Sequence, residues 1–106
     1  DDLLKKNLLR SFNRMLKFYG FTIHQWNEND IQIDKSQNFE QYSKFWLTPG
    51  NHNYLRLTRI LRSTYILGIE PYAEALLDLL ELIYLSGQYS IGADTYNHWL
   101  DALSTP

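Results

Sequence analysis

Apolar side chains recur every three to four positions over residues 2–19: Leu4, Leu8, Phe12, Met15, Leu16 and Tyr19 fall on one side, Lys6, Arg10, Asn13, Arg14 and Lys17 on the other. That period predicts an amphipathic helix buried along one stripe. Asp1 and Asp2 place anions at its positive end, and Gly20 supplies the left-handed residue that commonly follows a helix C-terminus. The pattern then changes. Phe21-Thr-Ile-His-Gln-Trp26 and Ile31-Gln-Ile-Asp34 alternate about the turn-rich Asn27-Glu-Asn-Asp30, which predicts a hairpin over 21–34. A lone hairpin is marginal in water, so Phe21, Ile23, Ile31 and Ile33 are expected to lie on helices.

Residues 38–47 are expected to form a short helix capped by Asn38, with Phe39, Tyr42, Phe45 and Trp46 turned inward, before Thr48-Pro49-Gly50 breaks the chain. Helical spacing returns over 51–67, where Tyr54, Leu57, Ile60, Leu61 and Tyr65 make a broad apolar arc closed by Gly68. Pro71 suits the first turn of the next helix. From Tyr72 to Leu85 only Glu74, Asp78 and Glu81 interrupt an apolar circumference, so this helix is either central or covered by a partner. A last helix over about 94–103 carries Tyr96, Trp99, Leu100 and Leu103, with Ala93 just ahead of it in the same spacing.

The expected fold is therefore all-α, with four to five helices and a small hairpin, in a single domain spanning 1–106. Having no cysteine excludes disulfide and thiolate-zinc scaffolds, and favours an intracellular setting. The greasiest stretch, Ala73 to Leu85, is too short and too acidic to span a bilayer. The start at Asp1-Asp2 is expected of a piece of a longer chain.

Charge is unevenly placed. All ten Lys and Arg lie at or before Arg62; residues 1–62 hold ten basic and six acidic side chains, a balance of +4, and 63–106 hold six acids and no base. The bland expectation is that basic and acidic helices pack side by side through weak surface pairs. The sharper one is a positive face for an anionic partner.

That face would centre on His52, Arg56, Arg59 and Ser63, whose spacings of four, three and four put them on one stripe. Guanidinium forks suit a carboxylate or phosphate. Asn53 lies beside them, and Trp46, Tyr54 or Trp26 would supply an apolar wall. Alternatively the arginines bridge to the acidic helix that follows.

No glycine-rich phosphate loop, paired His of metal-ligand spacing, Cys nucleophile or Ser elbow is present. His24, His52 and His98 stand apart, so neither a metal nor a cofactor is expected, and no enzyme activity. A net charge of -2 argues against nucleic acid as the partner.

Three blocks carry a resemblance: Leu8-Leu9-Arg10-Ser11-Phe12-Asn13-Arg14-Met15-Leu16-Lys17-Phe18-Tyr19-Gly20; Asn38-Phe39 through Phe45; and His52-Asn53, Leu55 to Ser63, then Leu67-Gly68. Together, over roughly residues 3–85, they resemble the conserved domain of the opioid growth factor receptor family. The resemblance covers the later part of that domain; the family's upstream segment with its His- and Trp-containing motif is missing here. In animals the family is implicated in binding an enkephalin-type peptide and restraining growth at or near the nucleus, while related sequences occur in bacteria, fungi and algae.

The resemblance implies the fold more than a ligand; the residues themselves favour a non-enzymatic module that binds a peptide or protein through His52, Asn53, Tyr54, Arg56, Arg59 and Trp46. Two alternatives stand beside it: a structural subunit of a larger complex, docking through the 72–85 helix and the Trp99 helix, and a helical domain that binds nucleic acid.

Overall fold

The computed structural model describes residues 2–104. Helix α1 (Asp2–Tyr19) leads into strands β1 (Phe21–Asn27) and β2 (Asp30–Lys35), followed by helices α2 (Phe39–Ser43), α3 (Asn53–Ile66), α4 (Glu70–Leu85) and α5 (Ala93–Ala102). The mainly helical fold with one small hairpin is the one the periodicity predicts.

Helix α1 buries Phe12, Leu16 and Tyr19 and half-buries Leu8 and Met15. Its stripe fails only at the start, where Leu4 is exposed because the core ends before the first turn. Gly20 then makes a turn that no other residue would make cheaply. Its φ is +81°, and a Cβ there would stand 3.0 Å from Phe39 Cα and 3.1 Å from Tyr42 Cβ. Helix α2 thus presses directly on the α1–β1 corner.

The strands pair antiparallel with Phe21 opposite Lys35 and Ile23 opposite Ile33, and a bulge between Gln25 and Asn27 displaces Trp26. Phe21 and Ile33 are buried and Ile23 and Ile31 are half-buried against the helices, as expected of a hairpin needing an apolar floor. Strand β1 lies beside α1 and β2 beside α4.

The 38–47 segment differs from its prediction. The helix is only five residues long, Asn38 makes no side-chain cap, Tyr42 lies at the surface and Phe45 is 72% exposed. After Ser43 the chain passes into tight turns, with Phe45 N–H donating to Tyr42 O and Trp46 N–H to Ser43 O, so the 3.6-residue spacing no longer governs which way Phe45 points. Trp46 still turns in, and is completely buried.

Helix α4 is the central element. It touches α3, α5 and β2, and buries Ala73, Ala75, Leu76, Leu79, Leu80 and Ile83. Its apolar circumference is thus covered from within the chain, save for the exposed Leu82 and Leu85. Trp99 of α5 is likewise fully buried.

Candidate functional site

Helix α3 begins at a buried polar joint. Asn51 Oδ1 accepts from both the backbone N–H and the side-chain Nδ2 of Asn53, each at 2.9 Å, and so caps the helix from two residues upstream. Asn51 Nδ2 donates to Phe45 O and to Thr48 Oγ1, tying down the loop that Pro49 and Gly50 open. Asn53 itself is buried, and its Oδ1 accepts the Tyr19 hydroxyl at 3.1 Å. Asn53 therefore joins the end of α1 to the start of α3. Burial pushes the Tyr19 phenol above its ordinary pKa, and the nearby Arg56 charge pulls partly back.

Around this joint the aromatic rings form a continuous file. Phe21 stacks on Phe39 at 5.9 Å, Tyr19 meets Trp46 edge-on at 5.1 Å, and Tyr54 stands edge-on between Trp46 and Trp99 at 6.5 and 6.0 Å. Both buried indoles find backbone acceptors: Trp46 Nε1 donates to Tyr19 O, and Trp99 Nε1 to Tyr54 O, each at 3.1 Å. Tyr54 Oη is the one buried side-chain polar atom without a hydrogen-bond partner among the described residues. Burial raises its pKa.

Three of the residues expected at the site, Trp46, Asn53 and Tyr54, thus lie inside the protein. Trp46 has no exposed surface and does not form the wall of an external site. The other three, His52, Arg56 and Arg59, are exposed on the outer side of α3.

Helix α1 holds that outer stripe, running antiparallel beside α3 with Met15 near Arg56 and Leu8 near Ser63 and Thr64. Arg56 Nη2 reaches Met15 Sδ at 3.7 Å, and its guanidinium lies 5.7 Å from the centre of the Phe18 ring. Phe18 is an aromatic on the polar side of α1, off its buried stripe. That misplacement is the signal by which the sequence sets it apart from the core-facing residues of α1. Arg59 projects to solvent one turn further on.

Neither arginine bridges to α4. Among the described residues no Lys or Arg is paired with a carboxylate, and the one close approach of a basic side chain to a carboxylate is that of His24 Nε2 to Asp34 Oδ2 at 3.5 Å, both well exposed. The expectation that basic and acidic helices compensate each other through surface pairs is overturned. Arg62 turns the other way, where its Nη1 donates to Ala102 O at 3.2 Å and Ser104 O at 2.8 Å and caps the end of α5.

His52 also borders an open cleft of about 290 Å³ between the start of α3 and α5, with Leu55, Thr58, Thr95 and His98. Thr95 and His98 come from a distant part of the chain, and no spacing within α3 announces them. Among the described residues, no group of three or more His, Asp or Glu is placed to hold a metal ion, and no helix is long and apolar enough to cross a membrane.

Comparison with known proteins agrees with the motif blocks. Opioid growth factor receptors of Rattus norvegicus and Mus musculus are 39% and 37% identical over 70 residues, 65% of this chain. An opioid growth factor receptor-like protein 1 of Xenopus tropicalis is 34% identical over 74 residues, 70% of the chain. The matched segment spans only 10–14% of those proteins. No solved structure matches. The family model of the opioid growth factor receptor (OGFr) conserved region matches residues 1–103, which extends the likeness beyond residue 85 and through α5. The buried joint, the outer arginines and α5 thus all fall within one shared region, and the chain belongs to the opioid growth factor receptor conserved-region family.

Proposed function

We propose that this chain is a non-enzymatic module that captures a peptide or protein segment on the outer face of α3, with Arg56 and Arg59 meeting a carboxylate of the partner. The observation that carries this reading is the state of Arg56: positioned by Met15 and the Phe18 ring, and without a carboxylate among the described residues. A guanidinium already oriented loses less freedom on pairing than a free surface arginine, and its fork matches a carboxylate bidentately. The half-exposed Phe18 and the exposed Leu55 provide apolar contact on either side. The rat and mouse relatives are named as receptors of an opioid growth factor, which supports a ligand of peptide type.

Fluorescence anisotropy with two labelled peptide pools tests it, one acidic with free C-termini and the other neutral and amidated. The acidic pool should bind more tightly. Arg56→Ala with Arg59→Ala should weaken that binding at least about tenfold, since each hydrogen bond to a charged group contributes about 1.5–3 kcal/mol. Equal binding by a double variant that keeps the native circular dichroism would overturn the reading.

A further inference from the structure

Charge segregation survives folding. The basic side is built from α1 and α3: Arg14 and Phe18 lie one turn apart on α1, Arg56 of α3 lies over the Phe18 ring, and Arg59 and Leu55 are exposed further along α3. The acidic side is the outward face of α4. Glu74 and Asp78 are exposed there one turn apart, and Leu82 and Leu85 continue the same face at 65% and 66% exposure. Each side therefore combines uncompensated charge of one sign with exposed apolar side chains. Asp78 is paired with no cation among the described residues: burial and then the neighbouring Glu81 carboxylate both raise its pKa.

A surface of this kind usually hides its leucines or scatters cations among its acids. Here the two halves fit each other's chemistry. An amphipathic acidic helix laid across a basic, apolar-studded pair of helices is a common mode of helix recognition. The small net charge, -2, leaves little general repulsion between copies.

We infer that the occupant of the Arg14–Arg56–Arg59 face is a second copy of this chain, docked through the Glu74–Asp78–Leu82 face of its α4. The contact is head-to-tail, because the two surfaces differ. Such a contact repeats: each copy bound through its basic side still presents its acidic side, so assembly grows with concentration unless a rotation closes it. It also covers the arginines assigned above to peptide capture, so self-association would compete with that binding. The inference does not rest on the peptide reading, since its measurement is of mass.

Sedimentation velocity on the 106-residue chain over a wide concentration range, at low and at high sodium chloride, tests it. The weight-average mass should rise with concentration and fall back towards one copy as salt screens the charges. Two charge reversals sharpen the result: Arg56→Glu with Arg59→Glu, and Glu74→Lys with Asp78→Lys. Each variant alone should lose association by more than about tenfold, because like charges then face each other. Mixed together, the two variants meet through opposite charges at both faces, since one then carries only acidic and the other only basic docking surfaces, so association should return in the mixture. Circular dichroism of each variant separates lost docking from lost folding. A wild-type chain that stays monomeric throughout, variants that associate as the wild type does, or native variants whose mixture stays monomeric would each overturn the proposal.

Discussion

Along α3, Asn53, Tyr54, Leu57 and Leu61 face a dry interior, while His52, Leu55, Arg56 and Arg59, interleaved with them, face solvent. The shared His52-to-Ser63 block therefore serves two purposes at once. On the inner side every residue but one has its packing or hydrogen bond supplied; on the outer side charge is oriented but left without a counter-charge. Satisfied groups explain a fold. Unsatisfied but ordered ones, such as Arg56 over Phe18, are what the proposed capture would use.

Substitutions on the inner side should unfold the protein, and those on the outer side should not. Trp46→Ala should have the largest effect, a loss of about 3–5 kcal/mol in urea denaturation, since it empties a fully enclosed site and strips Tyr19 O of its indole donor. Asn53→Ala comes next, at about 1–3 kcal/mol, because the buried Tyr19 hydroxyl loses its acceptor. Gly20→Ala should cost about 1–2 kcal/mol for the left-handed backbone alone, with more from the Phe39 Cα that the new methyl meets. Tyr54→Phe inverts the rule for the inner side: removing the unpartnered hydroxyl should leave stability unchanged or raise it by up to about 1 kcal/mol. Arg56→Ala with Arg59→Ala should stay within about 0.5 kcal/mol of the parent while weakening capture at least about tenfold, and a marked loss of stability would dissolve the contrast.

Alkaline titration sharpens the same contrast. The Tyr19 phenol is raised above 10.0 in the folded chain, so the unfolded chain releases its proton first. The stability it contributes is intact below about pH 10 and falls as pH rises towards the folded value. Thermal melts should therefore weaken above that pH, and less steeply in Tyr19→Phe.

Much of this architecture can be read directly in the sequence. Helix α1 emerges with its full range because eighteen residues keep one period, and α3, α4 and α5 come from the same regularity and from the glycine and proline punctuation. Phe45 defeats that method, because a five-residue helix is too short to impose its period on the residues after it, and Tyr42, within the helix, lies at the surface over the Gly20 corner. The candidate face is half legible. The stripe of His52, Arg56 and Arg59 is a matter of spacing on one helix, but its neighbour is not: whether the arginines would meet the acids of α4 or the Phe18 ring of α1 depends on which helix lies alongside. Asn53 and Tyr54 read as site residues because they adjoin the stripe in sequence, yet a helix turns adjacent positions to different sides.

The three tryptophans divide in the same way as the two sides of α3. Trp46 and Trp99 are sealed against Tyr54, whereas Trp26 stands 65% exposed at the hairpin bulge. The protein thus carries two optical reporters in separate places. Emission from the interior pair should lie to the blue and shift red only when the core opens, while acrylamide should quench the hairpin tryptophan in the native state. Opening of the hairpin and collapse of the core can therefore be followed independently, by light, in an unlabelled chain.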